Sequence, residues 1–283
     1  MVLAALRNWR RNRILSRAQL DDGLWSSTVA RVPFLRVMSE AELASLRELG
    51  ILFLHEKHFS AAGGLQLTEP MRFFVAAQAC MLVLELGLEY YRGWSEIVVY
   101  PAQFVPRHQH MDELGVVHQG DEPYAGEAWL HGPVILSWAD IQGSLWADGV
   151  NVVIHEFAHK LDMLNGAANG YPPLHRGMSR EAWSRAFGAA YLDFCARVDG
   201  RADTLIDPYA SENPGEFFAV LSEVFFETPA VVRDEYPAVY EQLRQFYRQD
   251  PIQRMEAAEG APENAIGRAA RPIANLRDAN RGR

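Results

Sequence analysis

His155-Glu156-Phe157-Ala158-His159 places two imidazoles four residues apart, with a carboxylate directly after the first of them. In an α-helix, residues i and i+4 lie one above the other on the same face, so His155 and His159 can bind one cation. Imidazole nitrogens suit Zn²⁺, and Glu156 lies where it can polarise a metal-bound water. This stretch therefore predicts a zinc site with two of its ligands on one helix.

The flanking sequence predicts that this motif lies on a helix between about residues 149 and 165. Ile154, Ala158 and Leu161 recur at helical spacing and form an apolar stripe. Asn165-Gly166 then forms a strong helix stop. The motif is thus expected on a helix of ordinary length.

The order of the predicted elements indicates an α+β fold. Before the motif we expect helices from Ser39 to Gly50, opened by a capping box with Glu42, and from Thr68 to about Tyr91, and strands at 97–100 and 134–138. After the motif we expect helices at about 180–198, 214–227 and 235–249. A small mixed sheet packed on the motif helix, with a further helical bundle, is therefore predicted.

Composition and charge exclude several classes of protein. The formal charge of −9 on 283 residues argues against a nucleic-acid-binding surface over most of the molecule. Two cysteines, Cys80 and Cys195, imply no disulfide framework, and no secretory signal is visible. The longest hydrophobic stretch, residues 73–84, contains Gln78 and is followed by Glu85, so it predicts a buried helix and no membrane span. These features are typical of a cytoplasmic protein.

Three regions of the chain differ in their patterning. Residues 1–30 are a basic lead-in with weak periodicity, residues 31–253 carry the regular patterning, and residues 254–283 contain hardly any large apolar side chain. Because such a tail cannot bury enough apolar surface to offset the entropy lost on ordering, we expect it to be flexible or loosely attached. One folded domain over residues 31–253 is therefore predicted.

A hydrolytic zinc site has three protein ligands and one open position, so a third ligand has to be found. One large class of zinc peptidases has it six residues after the second histidine, where this chain has Asn165, a poor ligand. Glu216 is a second candidate. Asn213 as N-cap and Pro214 at the first helical position would, however, make Glu216 a capping-box carboxylate. The residues alone leave both interpretations open.

Two longer motifs resemble a known family. HEFAHKLD at 155–162 and NPGEFFAVLSEVFF at 213–226 are similar to the Mlc titration factor A family of bacterial zinc peptidases. The similarity continues through LELGLE at 84–89, VYPAQFV at 99–105, GPVILSW at 132–138 and FYRQDP at 246–251. It covers roughly residues 31–253 in order, which is far more specific than the five-residue motif.

The resemblance implies a zincin-like, gluzincin-type metallopeptidase with Glu216 as the third zinc ligand. It also implies that Tyr209 lies near the scissile carbonyl, where its hydroxyl would donate to the oxyanion. The spacing of Tyr209 and Glu216 is also similar to that in the catalytic domain of anthrax lethal factor. Glu156 would be the general base. From the residues alone, Tyr209 can equally be a packed aromatic side chain.

Two acidic residues are candidates for supporting contacts to the ligand imidazoles. Asp162, one turn after His159, can accept the outer N–H of a ligand imidazole and fix its tautomer. Glu223, two turns after Glu216, can support a ligand in the same way or act as an alternative ligand. The alternatives are a plain helix-surface aspartate at 162 and a solvated or salt-bridged glutamate at 223.

Other histidines are weaker candidates. His55 and His58 have the wrong spacing for one helical face and lie in a strand-like stretch. The remaining ones before the motif are isolated, and isolated histidines are expected in loops or on sheet faces: His108, His110, His118 and His131.

Two classes of function remain. The first is a cytosolic zinc metallopeptidase, and the resemblance points to aminopeptidase-type cleavage of short peptides that add as a strand beside residues 130–138. The second is a binding protein that sequesters a transcriptional repressor, Mlc in the family's name, with little peptidase activity. Glu156 favours the first class, because a pure binding module has no need of a general base.

Overall fold

The computed structural model describes residues 2–18, 20–102, 109–111, 117–119, 132–144 and 147–260, and it confirms the α+β class. The helices are α1 (Val2–Leu15), α2 (Asp22–Arg31), α3 (Glu40–Glu56), α4 (Glu69–Leu82), α5 (Trp138–Gly143), α6 (Val152–Asp162), α7 (Arg180–Asp199), α8 (Pro214–Glu227), α9 (Pro229–Glu235), α10 (Pro237–Tyr247) and α11 (Pro251–Glu259). The strands are β1 (His58–Ala61), β2 (Glu96–Tyr100), β3 (Gln109–Met111), β4 (Val117–Gln119) and β5 (Val134–Ser137).

A three-stranded parallel sheet with β2 in its centre lies beside the motif helix α6. Ile97 pairs with Phe59 of β1 on one side and with Val134 of β5 on the other. Strands β3 and β4 form a separate antiparallel pair. Ile97, Val99, Val134 and Leu136 alternate along their strands and are buried, and α6 packs against β5. One side of the sheet therefore belongs to the same core as the motif helix.

The apolar side of α6 anchors the motif in this core. Ile154, Ala158 and Leu161 are fully buried, as their helical spacing predicted. Phe157, inside the motif, is also fully buried, and its ring centroid lies 5.2 Å from that of Tyr91. The helix that carries both histidines is thus held from behind by close-packed aromatic and aliphatic side chains.

The helix α8 lies in the centre of the molecule. Every residue from Gly215 to Glu227 is buried, and α8 packs against α6, α9 and α10. A helix that is buried on all sides is normally apolar all round. This one carries three carboxylates, those of Glu216, Glu223 and Glu227, and each of them requires a polar partner inside the protein.

Two helix ends predicted from the sequence were wrong. The helix from Ser39 does not stop at Gly50 but continues to Glu56. Gly50 allows α4 to pack closely against this helix, because a Cβ at Gly50 would lie 3.3 Å from the Phe73 ring. The helix expected to reach Tyr91 ends at Leu82. It is followed by a turn in which Gly87 has a φ of +87°, and then by a 3₁₀ turn over Leu88–Tyr91.

Proline explains a further difference. The helix predicted over 235–249 is α10, which begins at Pro237, and a separate helix α9 precedes it. Proline has no N–H with which to continue a helix, so Pro237 starts a new one. Residues 1–30 include α1 and α2, and α11 runs past residue 253 to Glu259, whereas most of the expected flexible tail lies outside the described residues. No helix in the described part of the chain is long and apolar enough to cross a lipid bilayer.

Candidate metal centre

The two histidines of the motif share one face of α6. The helix begins after Asn151, whose Oδ1 accepts a hydrogen bond from the Ile154 N–H at 3.0 Å. The ring centroids of His155 and His159 lie 4.7 Å apart, and their Nε2 atoms are separated by 3.1 Å. The helix therefore presents two imidazole nitrogens to the same point, as the i, i+4 spacing predicted.

Glu216 reaches this point from the first turn of α8. Asn213 caps the helix, because its Oδ1 accepts the Glu216 N–H at 3.0 Å. The Glu216 side chain turns away from the cap, and its Oε2 lies 3.0 Å from His155 Nε2 and 3.2 Å from His159 Nε2. Glu216 thus occupies the N3 position of the helix, but it does not form the capping box that was the alternative interpretation.

The three donors fit a metal ion. One ligand atom from each of His155, His159 and Glu216 lies within 4.8 Å of the others, and no other such group of histidine, cysteine, aspartate or glutamate occurs in the described parts of the chain. Their side chains are 15%, 12% and 11% exposed, so the donors are largely shielded from water. Two imidazoles and one carboxylate are a donor set typical of catalytic zinc.

Electrostatics within the group are strong. Burial alone would lower the pKa of His155, but hydrogen bonds with the Glu216 and Glu223 carboxylates outweigh it and raise this pKa to about 10. Burial would likewise raise the pKa of Glu216, yet hydrogen bonds with His155 and His159 lower it to about 2. Glu216 is therefore ionised at neutral pH, which a carboxylate ligand requires.

Glu223 supports His155 from behind. Its Oε1 lies 2.7 Å from His155 Nδ1, and its Oε2 accepts a hydrogen bond from the Asn151 N–H. Since Nδ1 faces this carboxylate, it keeps its proton, and a bound metal would displace the proton on Nε2 and take that lone pair. Glu223 lies on the far side of the ring from Glu216 and is placed to orient a ligand.

Asn151 extends this support into a buried network that the sequence analysis missed. Its Nδ2 donates to Gln78 Oε1 and to Glu227 Oε1, both at 2.9 Å. Burial raises the pKa of Glu227 to about 8. The signal was present in the sequence, because Gln78 and Glu227 are polar residues within otherwise apolar helical stretches and so require buried partners.

Asp162 does not make the contact that was predicted for it. Its Oδ2 accepts the Gly170 N–H at 2.7 Å and its Oδ1 accepts the Tyr171 N–H at 2.8 Å. In the described part of the chain, His159 Nδ1 is buried without a hydrogen-bond partner. Asp162 is fully buried, so the alternative of a surface aspartate is also wrong. The carboxylate holds a loop instead of an imidazole, because the backbone after α6 turns back towards it.

Tyr209 lies beside the donors on the 3₁₀ turn over Pro208–Ser211. Its ring centroid is 6.1 Å from that of His155, and the residue is 50% exposed. Burial, together with the negative charges of Glu216 and Glu156, raises the pKa of Tyr209 to about 12. The phenol therefore stays protonated at neutral pH and can donate a hydrogen bond.

Glu156 is half-buried on α6, one residue after the first ligand. One turn further along, the buried Lys160 donates from Nζ to Gly132 O at 2.9 Å, directly before β5. Burial lowers the pKa of Lys160 to about 8, against the opposing charge of Glu156. Lys160 was not singled out from the sequence, because a lysine in a helix is ordinarily a solvated surface residue.

Neither His55 nor His58 belongs to this group. His55 lies near the end of α3 and His58 begins β1, so the two belong to different elements. His110 and His118 face one another in the register of β3 and β4, but their side chains lie outside the described residues, as do His108 and His131 entirely.

Comparison with known proteins places the chain in a family. The family described as Glucose-regulated metallo-peptidase M90 matches residues 6–248. The chain is 39% identical over 259 residues to Mlc titration factor A of Salmonella gallinarum, which covers 89% of this chain and 95% of that protein. It is 39% identical over 252 residues to Mlc titration factor A of Salmonella arizonae, with 87% and 98% covered, and 39% identical over 233 residues to that of Klebsiella pneumoniae, with 82% and 88% covered.

The chain belongs to the M90 metallopeptidase family. The resemblance stated from the sequence motifs is therefore confirmed. The family match starts at residue 6 and so includes most of α1. Membership in a metallopeptidase family agrees with the group of His155, His159 and Glu216, which can hold a metal.

Glu216→Ala should weaken metal binding strongly, because the remaining two imidazoles leave the ion with too few protein ligands. Glu216→Gln should weaken it less, since the amide oxygen can still approach the ion without carrying charge. Competition against a coloured chelator measures the dissociation constant. Glu212→Ala, an exposed carboxylate four residues earlier, is the matched control and should bind metal as the wild type does. Unchanged affinity in Glu216→Ala would remove Glu216 from the ligand set.

Glu227→Gln should change how stability depends on pH. Folding raises the pKa of Glu227 from 4.5 to about 8, so between these values the folded protein holds a proton that the unfolded chain has lost. This group therefore lowers the free energy of unfolding as pH rises, by about 1.4 kcal/mol for each unit of pKa difference. Urea denaturation at about pH 5 and about pH 8 should show the variant gaining stability over the wild type at the higher pH. A difference that is the same at both values would contradict this assignment.

Proposed function

We propose that this protein is a zinc-dependent peptidase that removes residues from the amino terminus of short peptides. The observation that carries the proposal is the convergence of two imidazoles and one carboxylate from α6 and α8, with Glu156 adjacent to the first ligand. Zinc is favoured by the donor set, and the aminopeptidase type rests on the family resemblance. The free thiols of Cys80 and Cys195 support a reducing cytoplasm as the compartment.

Bound zinc would supply a Lewis acid that polarises a peptide carbonyl and lowers the pKa of water. The chain's own residues do the rest. His155, held by Glu223, and His159 offer Nε2 lone pairs, and Glu216 offers a carboxylate oxygen. Glu156 takes the proton from the attacking water and later delivers it to the leaving amine. The buried and charged surroundings keep these groups in place before substrate arrives.

Tyr209 is proposed to stabilise the oxyanion. Its hydroxyl stays protonated because burial and the nearby charges of Glu216 and Glu156 raise its pKa to about 12. A protonated phenol beside the donors can donate to the oxygen on which negative charge develops. The half-exposed position of Tyr209 leaves the ring accessible to a substrate.

The substrate is proposed to lie extended beside β5. Among the described strands β5 is at the edge of the sheet, and α6 packs against it. An edge strand has unpaired backbone groups to which an extended peptide can hydrogen bond. Lys160 holds Gly132 O, directly before β5, and so links this edge to the helix that carries Glu156.

Repressor binding is a second candidate function. The relatives at 39% identity are named Mlc titration factor A, which supports binding of a repressor of the Mlc kind by this chain as well. The two functions are compatible, and they differ in their need for Glu156. Hydrolysis needs a general base, whereas formation of a protein complex does not.

Glu156→Gln should keep the fold and the metal but lower the rate of peptide hydrolysis about 10²–10⁴-fold, because an amide cannot accept the proton. The measurement is release of a chromophore from an aminoacyl substrate, and an amino-terminally acetylated analogue tests the aminopeptidase type. Hydrolysis at the wild-type rate by this variant would refute the proposed base. Cleavage of the acetylated analogue would exclude the aminopeptidase type but would leave the proposed peptidase activity in place.

The same variant separates the two functions. Glu156→Gln should bind a purified Mlc repressor as tightly as the wild type does, because loss of a general base leaves the surface of the protein intact. Analytical ultracentrifugation of the mixture detects the complex. If neither the wild type nor Glu156→Gln forms a complex with the repressor, the repressor-binding function is excluded, and the peptidase proposal is tested by its own assay.

Tyr209→Phe should lower kcat with little change in KM, because the hydroxyl acts on charge that develops in the transition state. One oxyanion donor is worth about 3 kcal/mol, or about 10²-fold in rate. Steady-state kinetics of the zinc-loaded variant measure the effect. Tyr191→Phe is the control for loss of a tyrosine hydroxyl, because the Tyr191 hydroxyl donates to Ser211 O at 3.0 Å in the same 3₁₀ turn. An unchanged kcat in Tyr209→Phe would leave its ring with a packing role only.

A further inference from the structure

Residues 166–171, named here the bridging loop, follow α6 in the sequence and lie in space between the end of α6 and the beginning of α8. The loop is fixed to α6 by Asp162, whose two carboxylate oxygens accept the Gly170 and Tyr171 N–H groups at 2.7 and 2.8 Å. Asp162 is fully buried in the last turn of α6, one turn after His159. Two charge-assisted hydrogen bonds inside the protein hold a backbone segment firmly.

On its other side, the bridging loop packs directly on the first turn of α8. A Cβ at Gly170 would lie 2.4 Å from Pro214 O, and the φ of +73° at this position also favours glycine. A Cβ at Gly215 would lie 3.0 Å from Ala168 O. The two backbones therefore touch at both glycines without intervening side chains. The turn that they touch is the one that carries Glu216.

A third contact holds the loop from α7. The fully buried Trp183 donates from Nε1 to Gly170 O at 3.0 Å. The N–H of Gly170 thus binds Asp162, its carbonyl binds Trp183, and its Cα lies against Pro214. Each of these groups is on a different helix, so the position of Gly170 relates the end of α6 to the beginning of α8.

We infer that Asp162 is a positioning residue that, through the bridging loop, sets the distance between the two histidines and Glu216. The first turn of a helix has no preceding turn to hydrogen bond with and frays most easily, so a ligand there needs external support. Asn213 supplies part of that support within α8, and the bridging loop ties the same turn to α6. This inference rests on the proposed metal site but not on peptidase activity.

A double-mutant cycle on zinc affinity tests the inference. Asp162→Asn should weaken zinc binding about 10- to 100-fold in the wild-type background, because one backbone N–H then faces an amide donor. In the Glu216→Ala background the same change should weaken binding less than about threefold, since no ligand remains on α8 to be positioned. Equal losses in both backgrounds would overturn the inference. A wild type that binds no zinc would instead refute the metal site itself.

Cobalt spectroscopy gives a second readout that a general loss of stability would not change. With Co²⁺ bound, the visible absorption of Asp162→Asn should shift towards that of Glu216→Ala, which lacks the carboxylate ligand. Gln249→Leu is the control, because it removes a buried hydrogen bond from Nε2 to Met81 O at 2.8 Å elsewhere in the core. That control should lower Tm and leave the cobalt spectrum unchanged. A wild-type spectrum in Asp162→Asn would overturn the inference.

A second variant covers the case in which Asp162→Asn does not fold. Gly170→Ala keeps the Asp162 carboxylate but places a Cβ against Pro214 O, so it should displace the first turn of α8. In a double-mutant cycle with Glu216→Ala it should show the same pattern of zinc affinities as Asp162→Asn. If neither variant folds, the bridging loop is required for the fold as a whole, and a specific positioning role for Asp162 is overturned.

Discussion

The contact of one carboxylate with two imidazoles across two helices is the constraint on which this structure depends. Glu216 Oε2 lies 3.0 Å from His155 Nε2 and 3.2 Å from His159 Nε2, although 57 residues separate Glu216 from the second histidine. Polar groups in a core are unfavourable unless they are partnered, so α6 and α8 must meet in one register. The apolar packing of α6 and the complete burial of α8 fix that register.

The balance of charge around the contact favours a cation. His155 is paired with Glu223, and Glu216 and Glu156 add two further acidic groups. Burial raises the pKa of Glu227 to about 8, so this carboxyl is neutral at pH 7 and adds no charge to the network. A divalent ion would offset the remaining negative charge, as metal ions do in other clusters of carboxylates and imidazoles.

Local patterns predicted much of this arrangement, and long-range contacts account for what was missed. Two predictions concerned properties of one helix, and both are confirmed. His155 and His159 share one face, and the apolar residues behind them are buried. The role of Asp162 depends on where the chain turns after α6, which no helical periodicity reveals. Gly50 was taken as a helix stop, but the Phe73 ring that requires a glycine there lies on another helix. The Asn151 network joins residues more than 70 positions apart.

Anomalous diffraction from crystals of the purified protein, collected on both sides of the zinc absorption edge, would locate the metal and its ligands. We expect one zinc peak per chain, at bonding distance from His155 Nε2, His159 Nε2 and a Glu216 carboxylate oxygen. Zinc–nitrogen and zinc–oxygen distances of about 2.0–2.2 Å are expected. A peak at other residues, or a metal bound by the two histidines with Glu216 turned away, would contradict this expectation.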